Sequence, residues 1–276
     1  MKNALCLILL SMLAMVEPLH AQAQLAGPEN GALVLTGGGP LEPGRVLDTF
    51  LELAGGEGSS ILYIRIPQEL PKKVGSPSEY EAILSELFRA DVTLLHSNNR
   101  DDWDSAAYAE AIKASMAVWV SGGNQGHLAN MVLNTRSHAE LGALLQRGGV
   151  FGGQSGGAMI ASSFMLRGHP DKPALIARDH TRGFGFLRDV VINPHLTERN
   201  RENQLVTTVD LYPDLLGIGI DEGAAIVVEN NTFRIVGRGR VAIYDNKRHG
   251  SKWFYDLAPT SVFDLGTRMV QEQREK

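Results

Sequence analysis

Gly152-Gly153-Gln154-Ser155-Gly156-Gly157 sets one serine between glycines, directly after the apolar Val150-Phe151 and before the small, apolar Ala158-Met159-Ile160. This is the G-x-S-x-G form of a nucleophile elbow, in which flanking glycines allow a sharp turn that lifts a serine Oγ off a strand end. The backbone N–H of Gly156 then points towards a developing oxyanion. A serine hydroxyl is a weak nucleophile until a base takes its proton. His195, in Asn193-Pro194-His195-Leu196-Thr197-Glu198-Arg199-Asn200-Arg201, is the best placed candidate, because it closes a predicted strand and strand C-terminal ends carry the sites of α/β folds. Of the other histidines, His127 and His138 fall in predicted helical segments, and His96, His169, His180 and His249 fall in loops.

Two further groups sit near such strand ends. Arg199 and Arg201 have the chemistry to clamp a carboxylate by bidentate pairing, against the alternative of two solvated loop arginines. Val120-Ser121-Gly122-Gly123-Asn124-Gln125-Gly126 offers a second backbone oxyanion donor and, in Asn124 or Gln125, an amide for a substrate carboxylate or amide. A plain strand-to-helix turn is the competing reading of that segment.

These residues need a scaffold. Strands are predicted over 31–36, 60–66, 92–95, 117–120 and 149–152, alternating with helices over 45–54, 78–89, 108–115 and 138–147. Alternation of this kind implies a mainly parallel sheet covered on both faces. Beyond Ser163 the pattern turns to strands, over 190–193, 217–221, 225–228, 232–236 and 241–244. The expected architecture is therefore α/β, a flavodoxin-like three-layer sandwich with a mainly parallel central sheet and extra C-terminal β-strands. One domain is expected over 24–276.

The chain has 276 residues with a formal net charge of −5, 30 glycines and one cysteine. An acidic balance without a basic block excludes a dedicated nucleic-acid binder, and one cysteine excludes a disulfide framework and a cysteine-based zinc site. Residues 1–23 read as a signal peptide, with Lys2, an apolar run from Ala4 to Val16, and Ala21-Gln22-Ala23 as a cleavage site. The run is shorter than the roughly 20 residues a spanning helix needs. The mature protein is expected to be periplasmic or secreted, with no membrane anchor and no thiol, because Cys6 leaves with the leader.

Taken in order, Gly37–Gly39, Gly122-Gly123-Asn124-Gln125, Gly153 to Ala158, His195 to Arg201 and Gly217-Ile218-Gly219-Ile220-Asp221-Glu222 resemble the cyanophycinase and aspartyl dipeptidase family, a branch of the class I glutamine-amidotransferase-like fold. The resemblance implies a serine exopeptidase that cuts β-aspartyl-arginine polymer to β-Asp-Arg dipeptides through an acyl-enzyme. It implies Ser155 as nucleophile, His195 as base and then acid, and oxyanion donors at Gly123 and Gly156. Gln125, Arg199 and Arg201 fall where the family holds the β-aspartyl unit, with Asn124 beside them. No metal and no cofactor are implied, and the partners expected are a peptide of the β-aspartyl-arginine type and a second copy in a homodimer.

Departures from the family pattern are as informative. Gly-Thr-Ser-Ala-Gly becomes Gly153-Gln154-Ser155-Gly156-Gly157, Asp-Gln before the histidine becomes Asn193-Pro194, and a third arginine becomes Gln204. The family's glutamate between serine and histidine is missing, so Asp171 is expected to orient the imidazole, with Asp179 and Glu222 behind it. Two alternatives stay open: a serine esterase of another type, which the short Ser155 to His195 spacing disfavours, and a catalytically silent peptide-binding homologue that has lost the orienting acid.

Overall fold

The computed structural model describes residues 25–66, 74–172 and 174–271; the leader read over 1–23 lies outside them. The first half runs β1 (Ala32–Thr36), α1 (Arg45–Leu53), β2 (Ser60–Ile64), α2 (Pro77–Phe88), β3 (Asp91–Leu95), α3 (Arg100–Trp103), α4 (Ala106–Lys113), β4 (Ala117–Val120), α5 (Gln125–Val132), α6 (Arg136–Gln146), β5 (Val150–Gln154) and α7 (Gly156–Ala161). The second half runs β6 (Ser162–Phe164), β7 (Leu187–Pro194), α8 (Glu202–Leu211), β8 (Leu216–Ile220), β9 (Ala224–Glu229), β10 (Thr232–Gly237), β11 (Val241–Tyr244), β12 (Tyr255–Asp256), β13 (Val262–Asp264) and β14 (Met269–Gln271).

Five strands pair in parallel in the order β1-β5-β4-β2-β3, and β9, β10, β13 and β14 extend the other side of β1 in antiparallel steps. The parallel strands are apolar on both faces because both are covered. Along β1, Leu33 and Leu35 enter one core while Ala32 and Val34 enter the other, as the two-residue period of a strand requires. On the second face α1 and α2 pack Leu47, Phe50, Leu84 and Phe88 around Trp119. The first face carries α4 to α7 and a separate sheet.

The α/β architecture with extra C-terminal strands is as expected, and some of those strands form the separate sheet. β6, β7 and β8 pair in parallel and β11 and β12 add antiparallel, giving the order β12-β11-β8-β7-β6. The later strands thus divide between two sheets, and Val190 to Ile192 and Ile218 fill the core beneath the central sheet from the second one. Among the described residues no helix is long and apolar enough to cross a membrane.

Candidate active site

β1, at the middle of the central sheet, ends in Gly37 and Gly38, and three successive carbonyls at this end hold three other segments. Thr36 O accepts from Ser155 N (3.1 Å), Gly37 O from His195 N (3.0 Å), and Gly38 O from Gly223 N (3.3 Å). One turn thereby fixes the backbones after β5, β7 and β8 to a common edge.

Ser155 has φ 52° and ψ −108°, the strained conformation of an elbow, and the chain enters α7 immediately after it. His195 also has positive φ, 53°, where the chain leaves β7. The two turns bring Ser155 Oγ to 2.7 Å from His195 Nε2. Glu222 Oε1 lies 2.6 Å from His195 Nδ1. Gly38, at φ 105°, lies against the imidazole so closely that a methyl group on it would overlap the ring.

Asp171 was expected to hold the imidazole; the structure places Glu222 there instead. β8 lies beside β7 and runs parallel to it, so the residues after Ile220 arrive at the edge where His195 stands. Asp171 lies in the loop beyond β6, where its backbone N–H donates to His169 Nδ1. Asp179 is exposed in a short 3-10 turn over Arg178–His180. The strand-end rule that located His195 also marks Asp221-Glu222, directly after the next strand.

A second set of bonds ties the His195 loop to the Glu222 turn. Glu198 Oε1 accepts from Glu222 N, and Asp221 Oδ1 from Thr197 N. Arg240 donates to Thr197 Oγ1 and to Glu202 Oε1, both at 2.9 Å. Burial lowers the pKa of His195 below its ordinary 6.5; its hydrogen bond to Glu222 pushes it back up, and Arg199 and Arg201 push it down. The ring is therefore neutral at neutral pH, with its proton on Nδ1 towards the carboxylate and Nε2 open to the serine proton.

Beside Ser155 opens a cavity of about 410 Å³ whose lining includes Gly123, Met159, Arg167, Arg199 and Arg201. Gly123 and Gly156 adjoin, since a Cβ on Gly156 would overlap Gly123 O. The Gly156 N–H is the first of α7 and has no i−4 acceptor within that helix.

The two amides singled out in the sequence also border this cavity, but their donors are already engaged. Asn124 caps α5, its Oδ1 accepting from Gly126 N and His127 N while its Nδ2 donates to Pro170 O. Gln125 is buried, and its Nε2 donates to Leu166 O (2.7 Å) and Arg167 O (3.0 Å). Both residues line the cavity beside Ser155, and through these bonds they also brace the loop beyond β6.

That loop brings in Arg167, a residue sequence reasoning missed. Its guanidinium donates to Asn193 Oδ1 and Gln204 Oε1, each at 2.7 Å. Burial, with Arg201 and Arg199 nearby, lowers its pKa to about 9; burial and Arg199 lower that of Arg201 to about 10. Among the described residues, none of these three arginines has a carboxylate within ion-pair distance. The arrangement pairs a serine with a neutral imidazole and opens onto cationic walls. No cluster able to hold a metal ion occurs among the described residues.

The sequence matches the model of peptidase family S51 over residues 33–236. It is 28% identical over 206 residues to a cyanophycinase of Geminocystis herdmanii, covering 73% of this chain and 75% of that protein. It is 30% identical over 223 residues to a cyanophycinase of Trichormus variabilis, covering 79% and 74%. A solved peptidase from an acI-B1 Actinobacterium shares the fold, with TM-score 0.67, 22% identity, and coverage of 88% of this chain and 98% of that one.

Proposed function

Given that the chain belongs to peptidase family S51 and is a serine-type peptidase, we propose that it is an exported exopeptidase hydrolysing cyanophycin or related β-aspartyl peptides to β-Asp-Arg dipeptides. The observation that carries this reading is the hydrogen-bonded run Ser155–His195–Glu222 opening onto a cavity walled by Arg199 and Arg201.

In this reading His195 Nε2 takes the Ser155 proton as Oγ attacks the scissile carbonyl, and Glu222 stabilises the imidazolium that forms. The N–H groups of Gly123 and Gly156 receive the oxyanion. His195 then passes its proton to the leaving amine, leaving an ester on Ser155. Water enters and gives a proton to His195 as it attacks that ester, and His195 returns the proton to Ser155 Oγ as the acid leaves. Ser155 attacks the main-chain carbonyl between two β-Asp-Arg units, so the side-chain amide to arginine survives in the product, while Arg199 and Arg201 pair with the free carboxylate that the acyl unit carries on its arginine. Glu222 beside His195 supports turnover over silent binding, and export rests on the leader read over 1–23.

Mass spectrometry of products from cyanophycin and from α- and β-linked Asp-Arg peptides tests the substrate. Release of intact β-Asp-Arg from cyanophycin and from oligomers of β-Asp-Arg units, by cleavage of their main-chain amides, is expected. Ser155→Ala should lose at least about 10³-fold in kcat while melting as wild type does. Equal cleavage of α-linked peptides, or activity surviving in Ser155→Ala, would defeat the reading.

A further inference from the structure

We propose that Arg167 is a specificity-determining substrate residue, which completes with Arg199 and Arg201 a three-guanidinium cradle for a carboxylate on the acyl unit of the substrate. The inference rests on the reading of the site as a peptidase for β-aspartyl peptides and names the residue that makes it demand charge.

Its partners give the first reason. A partly buried guanidinium held for structural purposes ordinarily meets a carboxylate, because removing the charge from water costs several kcal/mol unless it is offset. Arg167 instead donates to two neutral amide oxygens, Asn193 Oδ1 at the end of β7 and Gln204 Oε1 on α8. These acceptors aim the group and leave its charge uncompensated. With a further weak contact to Met159 Sδ, they use three of its five N–H donors.

Location gives the second. Arg167 lines the same cavity as Ser155, Met159, Arg199 and Arg201, with the exposed Asp171 and Lys172 also on its border, so a substrate held at Ser155 lies in the cavity that Arg167 lines. Three guanidiniums there repel one another, and that repulsion contributes to the lowered pKa values of Arg167 and Arg201. An anion in their midst relieves it.

The backbone gives the third. Arg167 has φ 50°, a left-handed conformation that a long side chain seldom adopts. It is held by its own N–H on Leu175 O (2.8 Å) and by the buried Gln125 amide on the carbonyls of Leu166 and Arg167. Gln125 is thus a positioning residue that presents Arg167.

Steady-state kinetics on two peptides, each of two β-Asp-Arg units joined by a main-chain amide, one with the free arginine carboxylate on its acyl unit and one with a carboxamide in its place, provide the test. For Arg167→Gln, KM for the carboxylate peptide should rise about 10- to 100-fold with kcat nearly unchanged, as loss of a charge-assisted pair predicts. Constants for the carboxamide peptide should stay within about threefold of wild type. Arg167→Lys, which keeps the charge but loses the fork, should fall between. Because Arg167 and Gln204 bond to each other, Arg167→Gln with Gln204→Arg returns a guanidinium to the same place and should restore KM to within about fivefold. Equal losses on both peptides, or an unchanged KM for the carboxylate peptide, would overturn the proposal. Calorimetric titration with succinate against succinamide reads the cradle without turnover. If wild type cleaves neither peptide yet binds succinate through Arg167, the substrate reading alone fails; if Arg167→Gln leaves succinate binding intact, the assignment of Arg167 fails.

Discussion

Glu222 and Asp171 are both carboxylates near the site, and only geometry separates them. Glu222 meets His195 Nδ1 at 2.6 Å, while Asp171 is exposed in the loop beyond β6. The pair gives a clean comparison. Glu222→Gln should lower kcat by about 10²- to 10⁴-fold, because an amide no longer stabilises the imidazolium or fixes its tautomer, whereas Asp171→Asn should stay within about fivefold. The pH profile carries a second signature. His195 works as a base when neutral, and its pKa lies below 6.5 because burial disfavours the cation. In wild type kcat/KM should therefore rise with pH through a value below 6.5 and be level from neutral pH upward. The Glu222 carboxylate raises that pKa, so in Glu222→Gln the limb should move to still lower pH. A limb above 7 in wild type, or Asp171→Asn as the crippled variant, would contradict these assignments.

At the level of elements, the site is assembled by the turn after β1, whose carbonyls at Thr36, Gly37 and Gly38 tie down the segments carrying Ser155, His195 and Glu222. Gly38 is critical because the imidazole lies where its side chain would be. Gly38→Ala should displace His195 and lower kcat/KM by about 10²-fold or more, since small misplacements of a catalytic base are costly. Melting curves with labelling of Ser155 by a fluorophosphonate would check it: a folded protein that labels slowly is expected, and wild-type labelling would refute it. The strands were legible because apolar runs such as Ala32–Thr36 and Ala117–Val120 run into glycine-bearing turns. Which strand pairs with which was not, because side-chain alternation identifies a strand but not its neighbour; Leu187–Pro194 and Ala224–Glu229 read alike yet join different sheets. Helix α8 was missed since β-branched Val206, Thr207, Thr208 and Val209 blur its pattern. Ser155 and His195 were legible as strand ends, whereas Arg167 depends on a backbone turn that no residue type announces.

For the whole molecule, the cationic cavity belongs to an acidic protein of net charge −5. The two fields act over different distances. A chain of this length has a radius of gyration of roughly 18 Å, so repulsion from its distributed negative charge is already screened at ordinary ionic strength, where the Debye length is about 10 Å. Arg167, Arg199 and Arg201 act within a few ångströms of a bound carboxylate and are screened only when the Debye length falls towards that distance. Attraction in the cavity, rather than long-range repulsion, should therefore govern the response to salt. Raising NaCl from about 0.05 to about 0.5 M should increase KM for a carboxylate-bearing β-aspartyl peptide about 3- to 10-fold. The carboxamide peptide, without the charge that the cradle meets, should change by less than about twofold, and kcat should hold for both, since the Ser155–His195–Glu222 bonds lie inside the shared edge. A salt response equal for the two peptides would place recognition in shape rather than charge. A KM that falls as salt rises would mean that the acidic body of the molecule, and not the cradle, dominates the approach of substrate.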